Sequence, residues 1–392
     1  MVLNPSQPAD VVVVGAGVVG AACAYFAAQA GLRVVVLDRG AVAGGTTGAG
    51  EGNLLVSDKS PGPELDLTLH SLALWRALSS TLDSEAVEVE FKGGLVVAST
   101  AQGYDTLRDL AGQQREVGVE GIEVATETLH DYEPQLAGGL AGGVLYPQDM
   151  QVQPMAAAAH LLRAAIREHG AVFHPGTRVT AIERGAGGRV VGVRTSSGRY
   201  ATPAVVNAAG TWAGEVAALA GVDLPIMPRR GFILVTEPLP GSPVRHKVYA
   251  AEYVANVASE ETDLQTSPVV EGTRSGTILI GSSRERVGFD RTFSLPVLRR
   301  LAEQAIGLFP FLAGVHAIRA YRGFRPYCPD HLPVIGPDPR VPGLLHACGH
   351  EGAGIGLSAA TGDLIAAALT GATTAIPLTH FRPERFAGGT HG

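Results

Sequence analysis

Cysteine is scarce in this chain of 392 residues, which contains only Cys23, Cys328 and Cys348. Their spacing matches neither a disulfide framework nor a set of metal ligands, so we expect no metal site. Because the sequence has no CxxC motif, the chain cannot hold an iron–sulfur centre by itself. Cys23 falls in a segment with a helical pattern, where it is most simply a small buried apolar residue.

Charged residues are also sparse: they make up 17% of the chain, and the formal net charge is −7. The basic residues form no cluster, which argues against nucleic acid as a partner. We expect no cleavable leader, and the one long apolar stretch is interrupted by Asp10, Gln29, Arg33 and turn-forming glycines. These features predict a cytoplasmic protein without a membrane span.

Apolar residues and glycine, by contrast, are abundant. The chain is 46% hydrophobic and contains 51 glycines. This composition is typical of a well-buried α/β protein and argues against disorder. The length is too great for one compact core and predicts two domains.

The most informative segment covers residues 10–39, which read DVVVVGAGVVGAACAYFAAQAGLRVVVLDR. A β-branched run breaks into Gly15-x-Gly17-x-x-Gly20, a small-residue helix pattern follows, and a second β run ends in Asp38. In such a β-α-β unit the first glycine makes the turn, the second admits a pyrophosphate, and the third packs helix on strand. The helix N-terminus attracts phosphate and Asp38 would accept from the ribose hydroxyls, so the segment predicts a dinucleotide site.

Two further glycine-rich stretches stand apart from this unit. Residues 44–53 read GGTTGAGEGN, and residues 349–357 read GHEGAGIGL and lead into an apolar helix pattern. Strand patterns dominate after Pro225, including one over 246–254, and a helix is predicted near 295–308.

The order of these patterns predicts a discontinuous nucleotide-binding domain and a β-rich substrate domain. Residues 1–86, 147–222 and 320–392 would form the first domain. Residues 87–146 and 223–319 would form the second.

Four stretches resemble the D-amino acid oxidase superfamily of FAD-dependent oxidoreductases. They are the N-terminal fingerprint, VVNAAGTWAGEVA, the GFRP segment with PDHLPVIG, and the terminal GHEGAGIGL. Within the superfamily, GGTTGAGEGNL, LYPQDMQVQP and FRPERF most resemble the β subunits of D-hydroxyproline dehydrogenases and opine oxidases. Glycine oxidases and sarcosine oxidase β subunits are similar at a greater distance.

The resemblance implies a glutathione-reductase-type, Rossmann-like FAD-binding domain, with non-covalent FAD as the cofactor and FMN at a subunit interface as the alternative. Val179 matches the position whose backbone contacts adenine, and the terminal loop would place a helix N-terminus at the flavin N1–C2=O locus. The residues expected to bind the cofactor are Gly15, Gly17, Val18, Gly20, Asp38, Arg39, Gly45, Thr46, Thr47, Gly50, Gly52, Asn53, Val179, Ala209, Gly210, Trp212, Gly352, Ala353, Gly354, Ile355 and Gly356.

Arg325 of the GFRP segment is the expected catalytic residue, because the superfamily arginine at this place binds the substrate carboxylate in a bidentate pair. The alternative is a structural arginine paired with Asp330 or Glu351. Arg322 is the weaker candidate, since it could lie on the other strand face.

Three other positions bear on the chemistry that the resemblance implies. Gly323 stands where a related oxidase attaches FAD covalently. Val269 stands where glycine oxidase has an active-site tyrosine, so Tyr249 or Tyr253 would replace it. His350 could tune proton transfer or be a hydrogen-bonded structural histidine.

The resemblance therefore predicts oxidation of a D-amino acid or a cyclic secondary amine of the D-proline or D-hydroxyproline type. A hydride would pass from Cα to flavin N5, and partner redox subunits in a hetero-oligomer would accept the electrons. The alternatives are a glycine/sarcosine-oxidase-like enzyme that makes hydrogen peroxide, a non-catalytic flavin-binding subunit, and an NAD(P)-dependent dehydrogenase.

Overall fold

A computed structural model of the chain describes residues 8–257 and 262–386. The α-helices in these ranges are α1 Val18–Gln29, α2 Pro63–Thr81, α3 Ala101–Arg115, α4 Leu129–Tyr132, α5 Pro154–His169, α6 Ala213–Ala218, α7 Ala251–Val257, α8 Leu295–Leu308 and α9 Gly354–Thr370. The β-strands are β1 Val11–Val14, β2 Val34–Leu37, β3 Asn53–Leu54, β4 Gly94–Ala98, β5 Ile122–Ala125, β6 Gly142–Tyr146, β7 Met150–Gln151, β8 Val172–His174, β9 Val179–Arg184, β10 Val190–Thr195, β11 Gly198–Ala201, β12 Val205–Asn207, β13 Met227–Thr236, β14 Lys247–Ala250, β15 Gln265–Gly272, β16 Ile278–Arg284, β17 Ala317–Tyr327, β18 Val334–Pro337 and β19 Leu344–Cys348.

The first layer is a six-stranded sheet ordered β18-β19-β12-β1-β2-β8. Its strands are parallel except β18, which is antiparallel to β19. The sequences VVVV in β1 and VVVL in β2 are buried throughout, as parallel strands covered on both faces require. Helix α1 packs against α5 and α9, and β9–β11 form a separate three-stranded antiparallel sheet. This is the Rossmann-like α/β architecture that the sequence predicts.

The second layer is an eight-stranded mixed sheet ordered β17-β13-β16-β15-β14-β4-β6-β5, with α8 packed on it. Its strands come from residues 94–146 and 227–327, so two separate segments build one β-rich unit. The boundary predicted at residue 320 falls inside β17, which pairs with β13 along its whole length. The domain boundaries stay a prediction.

Helix α9 and the turn before it form an apolar segment that the sequence analysis did not count. Within the described residues, Glu351–Thr370 is long and apolar enough to cross a membrane by length and composition, but 61% of its apolar window is buried inside the protein. The Trp75 indole donates to the Ile355 carbonyl oxygen at 3.2 Å, and Ser71 Oγ donates to that of Gly356 at 2.5 Å. These contacts with α2 are those of a core helix. The cytoplasmic location stays a prediction.

The strand predicted over 246–254 is wrong in its second half. β14 ends at Ala250 and α7 begins at Ala251. The helix brings Tyr253 against Tyr249 of β14, and their rings meet edge to face at a centroid distance of 5.1 Å. Alanine favours a helix more than a strand, and this aromatic contact adds to that preference.

Candidate active site

A cavity of about 1030 Å³ lies between the carboxyl ends of β1 and β2 and one face of the eight-stranded sheet. Loop 44–53, the start of α9 and strands β13 and β17 complete its walls. The carboxyl edge of a parallel sheet is where α/β proteins bind their ligands. The cavity is therefore the candidate active site.

Most of the residues expected to bind the cofactor or substrate line this one cavity. They are Gly15, Gly17, Val18, Asp38, Arg39, Gly45, Thr46, Thr47, Gly50, Asn53, Val179, Ala209, Gly210, Trp212, Arg325, Gly352, Gly354 and Ile355. Four expected residues lie behind its wall instead: Gly20, Gly52, Ala353 and Gly356.

The β1–α1 turn depends on glycine at two positions for steric reasons. Gly15 has φ +114°, and a Cβ there would lie 2.3 Å from the Ala208 carbonyl oxygen. A Cβ on Gly20 would lie 1.9 Å from the Gly15 carbonyl oxygen, so α1 can pack on the turn only without a side chain. Gly52 and Gly356 are also packing positions, against the Val152 carbonyl and strand β3 respectively.

Asp38 contacts the glycine-rich turn itself. Its Oδ2 accepts from the Ala16 amide and its Oδ1 from the Gly40 amide, both at 2.7 Å. A carboxylate oxygen can accept more than one hydrogen bond, so the predicted ribose contact is compatible with these bonds and stays a prediction. What the structure adds is that Asp38 fixes the loop that a phosphate would approach.

Loop 44–53 is held against β17 by hydroxyl groups. Thr46 Oγ1 donates to the Phe324 carbonyl oxygen at 2.7 Å, and Thr47 Oγ1 accepts from the Val18 amide at 3.1 Å, at the start of α1. A Cβ on Gly323 would lie 2.8 Å from the Ala49 Cβ. The loop thus packs directly on β17 at Gly323, the position where covalent attachment of the flavin would need a side chain.

Aromatic rings flank one side of the cavity. The Arg39 guanidinium lies 4.0 Å from the centre of the Trp212 ring, which stacks on Phe289 at 5.5 Å with an interplanar angle of 5°. A Cβ on Gly45 would lie 3.2 Å from the Trp212 ring, so the loop and the ring are in close contact. Of the two tyrosines left open by the sequence, Tyr253 lines the cavity, whereas Tyr249 is buried and hydrogen-bonded to Ser57.

Arg325 projects from β17 into the cavity, and its Nη1 donates to the Ser283 carbonyl oxygen at 2.8 Å. It forms no salt bridge with any residue of 8–257 and 262–386. Burial, together with repulsion from Arg284 and Arg229, lowers the pKa of the guanidinium to about 10, and it remains charged at neutral pH. A partly buried cation without a carboxylate partner in the described residues favours binding of an anion.

The two pairings suggested for a structural Arg325 are not formed, because both suggested partners are engaged elsewhere. Asp330 pairs with Arg385 at 2.5 Å, and Glu351 pairs with Arg229 at 3.4 Å. Arg322 does not line the cavity, and its guanidinium lies 5.0 Å from the centre of the Phe293 ring. Alternation along β17 puts Arg322 and Arg325 on opposite faces.

Near this cavity, His350 and Cys348 are buried and uncharged. Burial lowers the pKa of His350 to about 3, and its Nε2 shares a hydrogen bond of 2.9 Å with Thr361 Oγ1. Burial also raises the pKa of the Cys348 thiol to about 12. These environments favour the structural interpretation of His350 and keep the thiol protonated.

Sequence reasoning missed a buried ionic network at the cavity wall. Lys247 Nζ lies 2.8 Å from Glu271 Oε2 and 3.3 Å from Glu51 Oε2, and it also donates to Asn53 Oδ1. Burial disfavours the charged form of Lys247, but the carboxylates of Glu271 and Glu51 outweigh it and raise the pKa of the amine. Glu51 lines the cavity. The one signal was an acidic residue inside the glycine-rich loop; its partners are about 200 positions away in the chain.

A family model described as DAO, FAD dependent oxidoreductase, matches residues 10–368. The chain belongs to this family. The glycine oxidase of Geobacillus kaustophilus is 31% identical, with 97% of each chain covered. The hydrogen cyanide synthase subunit HcnC of Pseudomonas aeruginosa is 30% identical, with 96% of each covered.

Solved structures agree with this assignment. The crystal structure of the Geobacillus kaustophilus glycine oxidase matches with a TM-score of 0.86 and 29% identity, covering 96% of this chain and 98% of that one. The L-proline dehydrogenase of P. horikoshii shares the fold, with a TM-score of 0.88 and 23% identity over 97% and 98% of the two chains. The predicted family, the fold class and FAD as the cofactor are thereby confirmed.

The residues present fit FAD on steric and electrostatic grounds. The glycines of the β1–α1 turn and of loop 44–53 line the cavity and bring backbone, without side chains, to its wall. The N-termini of α1 and α9 both reach the same cavity and carry partial positive charge. The protein is thus an FAD-dependent oxidoreductase.

Proposed function

We propose that this protein oxidises a D-amino acid or a cyclic secondary amine of the D-proline or D-hydroxyproline type, with Arg325 binding the substrate carboxylate. The single observation that carries the proposal is a partly buried guanidinium that lines the cavity and pairs with no carboxylate of the described residues. A carboxylate placed there would form a charge-assisted, bidentate pair.

The surroundings of Arg325 support an anionic substrate group. Arg229 lies opposite Arg325 in the β13–β17 pairing, and Arg284 of β16 is close enough to lower the Arg325 pKa. The Arg284 guanidinium lies 5.1 Å from the centre of the Tyr253 ring. A bound carboxylate would offset the repulsion among these guanidinium groups. We therefore expect the carboxylate end of the substrate to lie at this side of the cavity.

FAD, when bound, accepts the hydride from the substrate Cα. We infer that the expected residues along the cavity hold it: the β1–α1 turn at the pyrophosphate, Val179 at the adenine, and Gly352, Gly354 and Ile355 at the flavin end. The role of the protein is then to fix the substrate by its carboxylate and to keep the reacting carbon in position.

We infer that the FAD is not covalently attached. Gly323 has no side chain and is packed against Ala49, while the Cys348 thiol is protonated. Acid precipitation of the yellow protein should therefore release FAD into the supernatant, identified by its retention and mass. Flavin that stays with the pellet would contradict this inference.

The electron acceptor is proposed to be a partner redox subunit in a hetero-oligomer. The described residues contain no cluster of His, Cys, Asp and Glu that could hold a metal, so these residues carry no second redox centre of that kind. One relative is itself named as a subunit of a synthase. These observations favour a dehydrogenase.

With D-proline or D-hydroxyproline as substrate, reduction of an artificial dye should be faster than oxygen consumption. The reason is that the enzyme would pass its electrons to a protein partner, which the dye replaces, and would react slowly with oxygen. Parallel assays of dye reduction, oxygen uptake and peroxide on one preparation measure the difference. Equal or faster turnover with oxygen, with stoichiometric peroxide, would instead support the second candidate.

That second candidate is a glycine-oxidase-like enzyme that produces hydrogen peroxide by itself. It is favoured by the 31% identity to a glycine oxidase over nearly the whole chain. The two candidates share the cavity and the role of Arg325, and they differ in substrate size and electron acceptor.

A further inference from the structure

Glu51 presents a carboxylate oxygen that no described residue satisfies. Its side chain is 6% exposed and lines the cavity. Oε1 is buried and accepts no hydrogen bond within the described chain. It lies over Gly281 of β16, where a Cβ would come within 2.4 Å of it. A buried, unpaired carboxylate oxygen is costly unless a donor meets it.

The other oxygen, Oε2, holds Glu51 in place. Asn53 Nδ2 donates to it at 3.2 Å, and Lys247 Nζ lies at 3.3 Å. Because Lys247 is shared with Glu271, the network sets two carboxylates against one ammonium group. One negative charge remains uncompensated within this network, and Oε1 is the carboxylate oxygen without a donor.

Glu51 and Arg325 both line the cavity and lie beside neighbouring residues of β16. Arg325 Nη1 donates to the carbonyl of Ser283, whereas Glu51 Oε1 lies over Gly281, two residues away in the same strand. Two residues of a strand span roughly 6 Å. Two hydrogen bonds of about 2.9 Å each, joined by the short amine-to-carboxylate span of an α-amino acid, can bridge such a distance.

We propose that Glu51 Oε1 binds the protonated amine of the substrate while Arg325 binds its carboxylate. The cavity then selects α-amino carboxylates, primary or secondary, over carboxylates that lack an amine. This inference rests on the proposed function, which supplies the carboxylate contact. Opposite charges fixed at the two ends of the site also set the direction in which the substrate lies.

A pair of non-oxidisable ligands tests the proposal in the holoenzyme. α-Aminoisobutyrate has no hydrogen on Cα, and pivalate replaces its amine by a methyl group of similar size. Binding of each is measured from the shift in flavin absorbance. Glu51→Gln should weaken α-aminoisobutyrate at least about 10-fold, as expected for a lost charged hydrogen bond, and leave pivalate unchanged.

Two variants complete the comparison. Glu285→Gln removes a carboxylate that pairs with Arg230 at 2.8 Å and does not line the cavity, so it should bind both ligands as the wild type does. Arg325→Lys should weaken both ligands. If Arg325→Lys leaves pivalate binding intact, Arg325 does not bind the carboxylate and that part of the proposed function fails. The role of Glu51 is still tested by α-aminoisobutyrate binding to Glu51→Gln and to the wild type.

The proposal is overturned if Glu51→Gln binds α-aminoisobutyrate normally, or if it weakens both ligands equally. Flavin content and melting temperature show whether the variant is folded. Should it not fold, the wild type decides the matter, because it must bind α-aminoisobutyrate more tightly than pivalate. Equal or tighter binding of pivalate would overturn the role of Glu51.

Discussion

Arg325→Ala should lower kcat/KM for the amino acid substrate at least about 30-fold, while FAD stays bound. This loss corresponds to about 2–5 kcal/mol of activation free energy. The substitution removes the partly buried guanidinium that would pair with the carboxylate and leaves the glycine-rich turns untouched. Arg325→Lys should restore little, since an ammonium group cannot form a bidentate pair. Steady-state kinetics and flavin absorbance on the same preparation measure both parts.

Arg322→Ala is the matched control for this prediction. Arg322 lies three residues earlier on the same strand, over the Phe293 ring and outside the cavity. Its loss should leave kcat/KM near the wild-type value. A near-normal kcat/KM in Arg325→Ala, or a large loss in Arg322→Ala, would show that another group holds the carboxylate.

Gly15→Ala should prevent recovery of a folded, FAD-containing protein. Its Cβ would lie 2.3 Å from the Ala208 carbonyl oxygen, which is backbone and cannot rotate away. The Ala208 amide donates to Val14 at 2.9 Å and fixes that segment to β1. A clash of this kind in the core exceeds the usual cost of overpacking, about 1–3 kcal/mol. Soluble yield, flavin content and melting temperature measure the effect.

Gly31→Ala separates backbone strain from the clash. Gly31 also has a positive φ, +88°, but a Cβ there would have no neighbour within 4 Å. It should cost only about 1–2 kcal/mol and keep FAD. If Gly15→Ala were no worse than Gly31→Ala, the close packing of the turn would not matter for the cofactor domain.

The parts of the fold that depend on local sequence patterns could be predicted from the sequence. Residues 10–39 follow one another as strand, turn, helix and strand, and each glycine has a steric role readable from its spacing. The helix predicted at 295–308 is α8, with the same bounds. The strand predicted over 246–254 failed because the contact between Tyr249 of β14 and Tyr253 of α7 outweighed the strand pattern.

The candidate site was predictable only in part. The resemblance pointed to Arg325, but only the structure shows that Asp330 and Glu351 have other partners. The network of Glu51, Lys247 and Glu271 joins residues far apart in the chain, and buried charges of this kind carry no periodic signal. Their meeting depends on the way the two sheets pack.

The most direct test of the account is anaerobic mixing of the purified flavoprotein with a panel of amino acids and with the amines that lack their carboxylates. Bleaching of the flavin absorbance reports the reductive step without any electron acceptor. We predict rapid bleaching by D-proline or another α-amino acid. We predict slow or no bleaching by pyrrolidine, because it has no carboxylate for Arg325 to bind. Bleaching by pyrrolidine as fast as by D-proline, or no bleaching by any amino acid, would contradict the account.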